Sequence, residues 1–209
     1  MTSRPRQAAL RGPALCAAAL ALALATACSA ADPVAEADHY MDLSDDPMAA
    51  SATELTTLDG DPWAFTDVAD DRLTLLFFGY TSCPDVCPMT MAEIDLALGQ
   101  AGDAADAYDV VMVSTDPARD TAEQMRSWLD RFDPSFQGVR GDVDTTVEAA
   151  RDYGIAVDPP QETEGQYLVT HGGRIVVLLP GGEAAGMFDE GTEADRIAAL
   201  LPELAQTLL

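Results

Sequence analysis

Thr74-Leu75-Leu76-Phe77-Phe78-Gly79-Tyr80-Thr81-Ser82-Cys83-Pro84-Asp85-Val86-Cys87-Pro88-Met89 runs from an apolar strand, through a glycine turn, into a helix start that carries two cysteines. Residues 73–78 have the length and apolarity of a strand buried on both faces, and Gly79 followed by Thr and Ser marks the turn. Pro84 suits a first helical turn, where its missing N–H has no partner to lose. Residues 92–98 carry the helical period onward. Cys83 and Cys87, four apart, therefore fall on one face of a helix N-terminus, about one turn from each other. Free N–H groups and the positive end of the helix dipole stabilise a thiolate there. Two such sulfurs can close a disulfide or chelate a thiophilic metal.

Outward from this stretch, strand and helix patterns alternate, which predicts an α/β layered domain with no internal repeat. Residues 54–65 read as a β-hairpin turning at Asp59-Gly60. Residues 108–114 form a second buried strand, and the polar run from Thr115 to Thr121 leads into a helix ending near Phe132, with Trp128, Leu129 and Phe132 along one side. A helix over 145–153 stops at Gly154. Residues 158–165, rich in Pro, Glu and Gln, read as a mobile loop. Two strands, 166–170 and 175–179, flank His171-Gly172-Gly173-Arg174, and an amphipathic helix closes the chain over 193–209.

The 209 residues are enough for one domain with a core plus a tail. A net charge of -25, with no lysine, argues against nucleic-acid binding, which needs basic residues at phosphates. The acidity reads as a solvated surface, and nothing in it has the pattern of a calcium loop. At the N-terminus Arg4, Arg6 and Arg11 precede an Ala/Leu stretch over 14–25 that is short for a membrane span. Ala25-Thr26-Ala27-Cys28 then resembles the lipobox of bacterial lipoproteins, although its usual leucine is displaced to Leu24. That resemblance implies a signal peptide over 1–27, lipidation of Cys28, and a domain held at the outer face of the cell membrane. An ordinary cleaved signal peptide or a short uncleaved anchor is the alternative. Residues 28–51, poor in apolar periodicity, read as a flexible tether containing His39, Met41 and Met48, which are incidental or transient metal contacts.

Export makes the cysteines informative. Cys16 lies in the leader and Cys28 at the lipid site, so Cys83 and Cys87 are the pair that the domain keeps. In an oxidising compartment such a pair forms a disulfide unless a metal or a reductase intervenes. A structural zinc site wants four ligands, and carboxylates apart the domain supplies two cysteines and His171. Cu(I), soft and content with few ligands, fits two thiolates and an imidazole better. Asp85 reads as a helix-start acid and Asp116, Arg119 and Asp120 as a helix cap with internal ion pairs. Partner docking is the other role open to the four. Met89 and Met91 are core fillers or weak copper contacts.

Three motifs in order, Phe78-Gly79-Tyr80-Thr81-Ser82-Cys83-Pro84-Asp85-Val86-Cys87-Pro88, then Ser114-Thr115-Asp116-Pro117-Ala118-Arg119-Asp120-Thr121, then Tyr167-Leu168-Val169-Thr170-His171, strongly resemble the Sco/SenC copper chaperones across residues 52–209. The resemblance implies a thioredoxin-like fold, a central mixed sheet flanked by helices with an N-terminal β-hairpin insertion. It implies copper ligation by Cys83, Cys87 and His171, as Cu(I) or Cu(II), and delivery to the dinuclear copper centre of cytochrome c oxidase. The serine that often follows the family's histidine is Gly172 here, which is expected to loosen the histidine loop. Partners implied are the oxidase copper subunit and a thiol reductase; the chain itself, a domain of this size with no sustained exposed apolar pattern, reads most simply as a monomer. The competing reading is an enzyme, a thiol–disulfide oxidoreductase in which Cys83 attacks and Cys87 resolves without any need for His171. Peroxidase chemistry rests on fold alone.

Overall fold

The computed structural model describes residues 38–163 and 166–209. The expected signal peptide over 1–27 and lipidated Cys28 lie outside the described residues. Ten strands and four α-helices follow one another as β1 Tyr40–Asp42, β2 Glu54–Thr57, β3 Pro62–Ala64, β4 Leu73–Gly79, α1 Val86–Ala101, β5 Tyr108–Ser114, α2 Ala122–Leu129, β6 Gln137–Arg140, α3 Val143–Asp152, β7 Val157–Thr163, β8 Gln166–His171, β9 Ile175–Leu178, β10 Ala184–Phe188 and α4 Ala194–Leu208. Eight of the strands form one mixed sheet in the order β1-β10-β9-β4-β5-β6-β2-β3, and β7 pairs with β8 in a separate ribbon.

β4 lies inside this sheet, parallel to β5 and antiparallel to β9, and all seven of its residues are buried. Its alternation explains why. Leu73, Leu75 and Phe77 face a core shared with α1, α2 and α4, while Leu76 and Phe78 face a second core completed by α3. Two helical layers thus cover both faces, as an apolar run without polar alternation requires. β4 and β5 end level, Gly79 opposite Ser114, and the Thr115 N–H donates to the Gly79 carbonyl at 2.8 Å. The loops after these two strands therefore leave the sheet side by side. Among the described residues no helix is long and apolar enough to cross a membrane.

The hairpin expected over 54–65 is present as β2 and β3, an antiparallel pair at the edge beyond β6. Two other expectations are corrected. Of the loop expected over 158–165, residues 158–163 are strand instead: β7 occupies Val157–Thr163 and pairs antiparallel with β8, with a register shift between Asp158 and Gln161. Pro159 and Pro160 hid this strand, because prolines are tolerated at bulges and in strands with a free edge. Nor does the described part of residues 28–51 behave as a tether. β1 pairs with β10, Tyr40 packs on Phe188 with ring centroids 4.9 Å apart, and Met48 bridges to Ala184. The Ser51 N–H donates to the buried Tyr153 hydroxyl at 3.1 Å. A Cβ on Gly186 would lie 2.0 Å from the Tyr40 hydroxyl, so a glycine in β10 makes room for this edge strand. A strand of three residues is too short to leave a periodic signal.

Candidate metal centre

The site forms where β4 stops. Helix α1 begins at Val86, later than expected, so Cys87 lies inside its first turn while Cys83 stands in the irregular segment before it. Asp85 occupies the N-cap position but makes no side-chain capping bond. A turn closed by the Cys83 N–H on the Tyr80 carbonyl, at 3.2 Å, folds Cys83 back towards the helix. There the Cys87 N–H donates to the Cys83 sulfur at 3.4 Å, and the Tyr80 N–H donates to the Cys87 sulfur at 3.5 Å. Gly79 permits the close approach: a Cβ there would lie 2.5 Å from Phe77 Cε1 and 3.2 Å from the Cys87 sulfur.

His171 arrives from a different element, the last residue of β8, paired with Val157 of β7. Its Nε2 stands 3.1 Å from the Cys87 sulfur, and the donor atoms of Cys83, Cys87 and His171 all lie within 4.8 Å of one another. The His171 ring meets Phe77 and Tyr80 edge-on, with centroids 5.9 Å and 5.6 Å away. Behind it Nδ1 is 3.2 Å from the Gly172 carbonyl. A carbonyl only accepts, so Nδ1 carries the proton and the Nε2 lone pair faces the sulfurs. The expected loosening at Gly172 has a counterweight, since the Gly172 N–H donates to the Ala156 carbonyl at 2.7 Å.

The two thiols differ in character. Cys83 is half-buried and Cys87 fully buried, and both are free. Burial works to raise the Cys83 pKa, but hydrogen bonds from the Cys87 and Asp85 backbone, and from the Cys87 and Tyr80 side chains, hold it below the usual thiol value. Burial pushes the Cys87 thiol well up, and the Tyr80 N–H offsets this in part while Cys83 and the Asp120 carboxylate add to it. Burial lowers the His171 pKa, opposed by the Gly172 carbonyl and Glu190, so the imidazole is neutral at pH 7. The set is a half-buried thiol biased towards thiolate, a buried thiol that holds its proton, and a neutral imidazole.

The polar run after β5 is placed differently from its sequence reading. Thr121, not an aspartate, caps α2, its hydroxyl accepting from the Gln124 N–H at 3.1 Å. Buried Asp116 pairs with Arg119 as expected, and the Arg119 guanidinium lies over the Tyr80 ring at 5.8 Å. Asp120 reaches away from α2 and accepts from the Thr81 hydroxyl at 2.6 Å, in the cysteine segment. Reading the run as a cap missed this, although a Ser/Thr-rich segment just ahead of a cysteine is a signal for such an acceptor. Met91 is buried in the core, whereas Met89 is 56% exposed and lines a cavity of about 320 Å³ with Asp85, Thr90, Gly173 and Glu190. His39 is not in the cysteine cluster. Its ring contacts Asp38, and its carbonyl accepts from the Asp189 N–H at 3.0 Å.

A three-coordinate ion with bonds of about 2.0–2.3 Å needs donors about 3.5–4 Å apart, which side-chain adjustment within the present spacing provides. The donors are soft, few, and supported from behind, the arrangement expected for a thiophilic metal rather than for magnesium or calcium. Fold and site together define a thioredoxin-like α/β protein with a thiol–imidazole group, of a kind that could hold a metal ion, at the mouth of its central strand.

Residues 44–206 match the SCO1/SenC family profile, and the chain belongs to that family. It is 31% identical over 152 residues to a protein of Stutzerimonas stutzeri named as a copper-binding protein, covering 72% of this chain and 74% of that one. To the human mitochondrial SCO1 homologue it is 28% identical over 156 residues, 73% of this chain but 52% of the relative, so it spans about half of that protein's length. The fold is similar to that of Bradyrhizobium japonicum ScoI, solved with copper bound, at TM-score 0.64 and 30% identity, covering 74% of this chain and 98% of that one. Apo Sco1 of Thermus thermophilus superposes at TM-score 0.63 and 32% identity, covering 76% and 92%.

Proposed function

We propose that Cys83, Cys87 and His171 bind copper and that the chain is an extracytoplasmic copper chaperone, which delivers the metal to the dinuclear copper centre of cytochrome c oxidase. In this reading Cys28 carries the lipid that holds a monomeric domain to the outer face of the membrane. A thiol reductase keeps the pair ready for metal. Cu(I) suits the donor set, and Cu(II) is a second state of the same site. One observation carries the reading: two sulfurs and the unprotonated nitrogen of a neutral imidazole converge within 4.8 Å. The copper-bound structure of ScoI supports it by similarity. The test is anaerobic Cu(I) competition on the reduced protein and its His171→Ala variant. One tightly held copper per chain, weakened about 100-fold by the substitution, is expected; a variant that binds as tightly as the parent removes His171 from the ligand set.

The asymmetry of the thiols supports a second reading, a thiol–disulfide oxidoreductase. The Cys83 thiolate attacks a substrate disulfide, and Cys87, after losing its proton, attacks the Cys83 sulfur of the mixed disulfide. The substrate leaves as a dithiol, with Cys83 and Cys87 joined as the disulfide. Retained exchange in His171→Ala together with absent copper binding in the parent would favour this reading.

A further inference from the structure

We infer that Asp120 is a positioning residue for the thiol pair: its buried carboxylate holds Thr81, and through it the irregular segment that carries Cys83. The inference rests on the reading that Cys83 and Cys87 act together, on copper or as a redox couple. Between Gly79 and Val86 the chain belongs to no strand or helix, and its backbone bonds there include the Cys83 N–H on the Tyr80 carbonyl at 3.2 Å and the Met89 N–H on the Asp85 carbonyl at 3.4 Å. Asp120 comes from the loop after the neighbouring parallel strand, which leaves the sheet at the same level. Its Oδ1 accepts from the Thr81 hydroxyl at 2.6 Å and from the Thr81 N–H at 3.2 Å, and its Oδ2 accepts from the Ser114 hydroxyl at 2.7 Å. Ser114 Oγ itself accepts from the Asp116 N–H at 3.2 Å, so its proton is committed to Asp120.

The carboxyl group is fully buried, and a buried acid is costly to the fold unless its oxygens are hydrogen-bonded. Ordinary local roles are already filled by neighbours, since Thr121 caps α2 and Asp116 pairs with Arg119. What remains for Asp120 is a bracket from the end of β5 to a residue two positions before Cys83. Three donors converge on it, so an isosteric amide would place an NH2 group against at least one of them. Losing the bracket widens the range of Cys83 positions and lowers its effective concentration towards Cys87 and towards metal.

The experiment compares the reduced full chain with Asp120→Asn, Thr81→Val and the double variant. The first readout is the equilibrium of the Cys83–Cys87 couple with glutathione, which reports effective thiol concentration without copper. The second is Cu(I) affinity by competition. We expect each single variant to lower the effective concentration about tenfold, which raises the potential by about 30 mV. Cu(I) affinity should weaken by a similar factor. The double variant should fall no further than the worse single one, because the Thr81 hydroxyl bond that Thr81→Val removes is one of the bonds that Asp120→Asn disturbs. Thr81→Val keeps the side-chain volume at a half-buried position, so it decides the matter if Asp120→Asn does not fold. Folded variants that stay within twofold of the parent in the glutathione equilibrium would overturn the inference, as would fully additive losses. If the parent binds no copper, the chaperone reading fails, while the glutathione equilibrium still judges Asp120.

Discussion

The cysteines and the histidine of this site are carried by regions built on opposite plans. Cys87 belongs to α1, which packs on β4, a strand buried on both faces and paired on both edges. His171 ends a two-stranded ribbon that, among the described residues, has no ladder bonds to the main sheet and joins the rest of the fold near its base. There Val157 and Ile155 enter the α3-side core and the Gly172 N–H reaches the Ala156 carbonyl. A two-stranded hairpin is marginal by itself, whereas a central strand opens only with the whole domain. One side of the Cys83–Cys87–His171 group is thus set by global stability and the other by local stability, so the histidine side can open without the fold being disturbed.

Substitutions on the two sides should therefore differ sharply. Phe77→Ala empties a fully buried position in β4 that also touches the His171 ring. It should lower unfolding free energy by about 3–5 kcal/mol in chemical denaturation and weaken copper binding as well. A loss below about 1 kcal/mol would mean that β4 does not anchor the site.

Protons sharpen the contrast further. His171 has a lowered pKa and is already deprotonated near neutral pH, so it releases nothing when metal binds there, whereas Cys87, raised by burial, must lose its proton throughout. Cys83, lowered, adds a second proton only below its own pKa. From neutral pH upward, Cu(I) affinity should rise by two proton equivalents while Cys83 is protonated and by one once it has ionised, as Cys87 keeps its proton until metal binds. His171→Ala should lower the affinity and leave that slope unchanged. A slope that changes in the variant would place a titrating proton on the histidine. The smallest effect belongs to the ribbon. Gln161→Ala, at an exposed position of β7, should shift stability by less than about 0.5 kcal/mol and leave copper affinity unaltered, as thermal unfolding and competition would record.

The same division separates what was legible in the sequence from what was not. β4, β5, β9 and the helices announced themselves because burial on two faces, or on one helical stripe, leaves long apolar patterns. Cys83, Cys87 and His171 could be picked out because their side chains are chemically rare in this chain. Of the ribbon, β8 was legible but β7 was not, since Pro159 and Pro160 and a polar composition describe a loop as well as a free-edged strand. Asp120 was misread because a capping acid and a bracket across two loops look alike until the neighbouring strand is known to end at the same level. β1 was invisible because its stability comes from Tyr40 packing on Phe188, a contact between residues far apart in the chain.

That last contact bears on solubility. β1 is a three-residue cover over β10, with Asp42 at its end and Asp38 just before it. Short, charged edge strands are how sheets avoid joining one another. A version of the chain trimmed to begin at residue 52 would leave Ala184–Phe188 as an open, apolar edge with Phe188 uncovered, a template for pairing between molecules. The acidic segment around β1 thus guards the β10 edge against pairing between molecules.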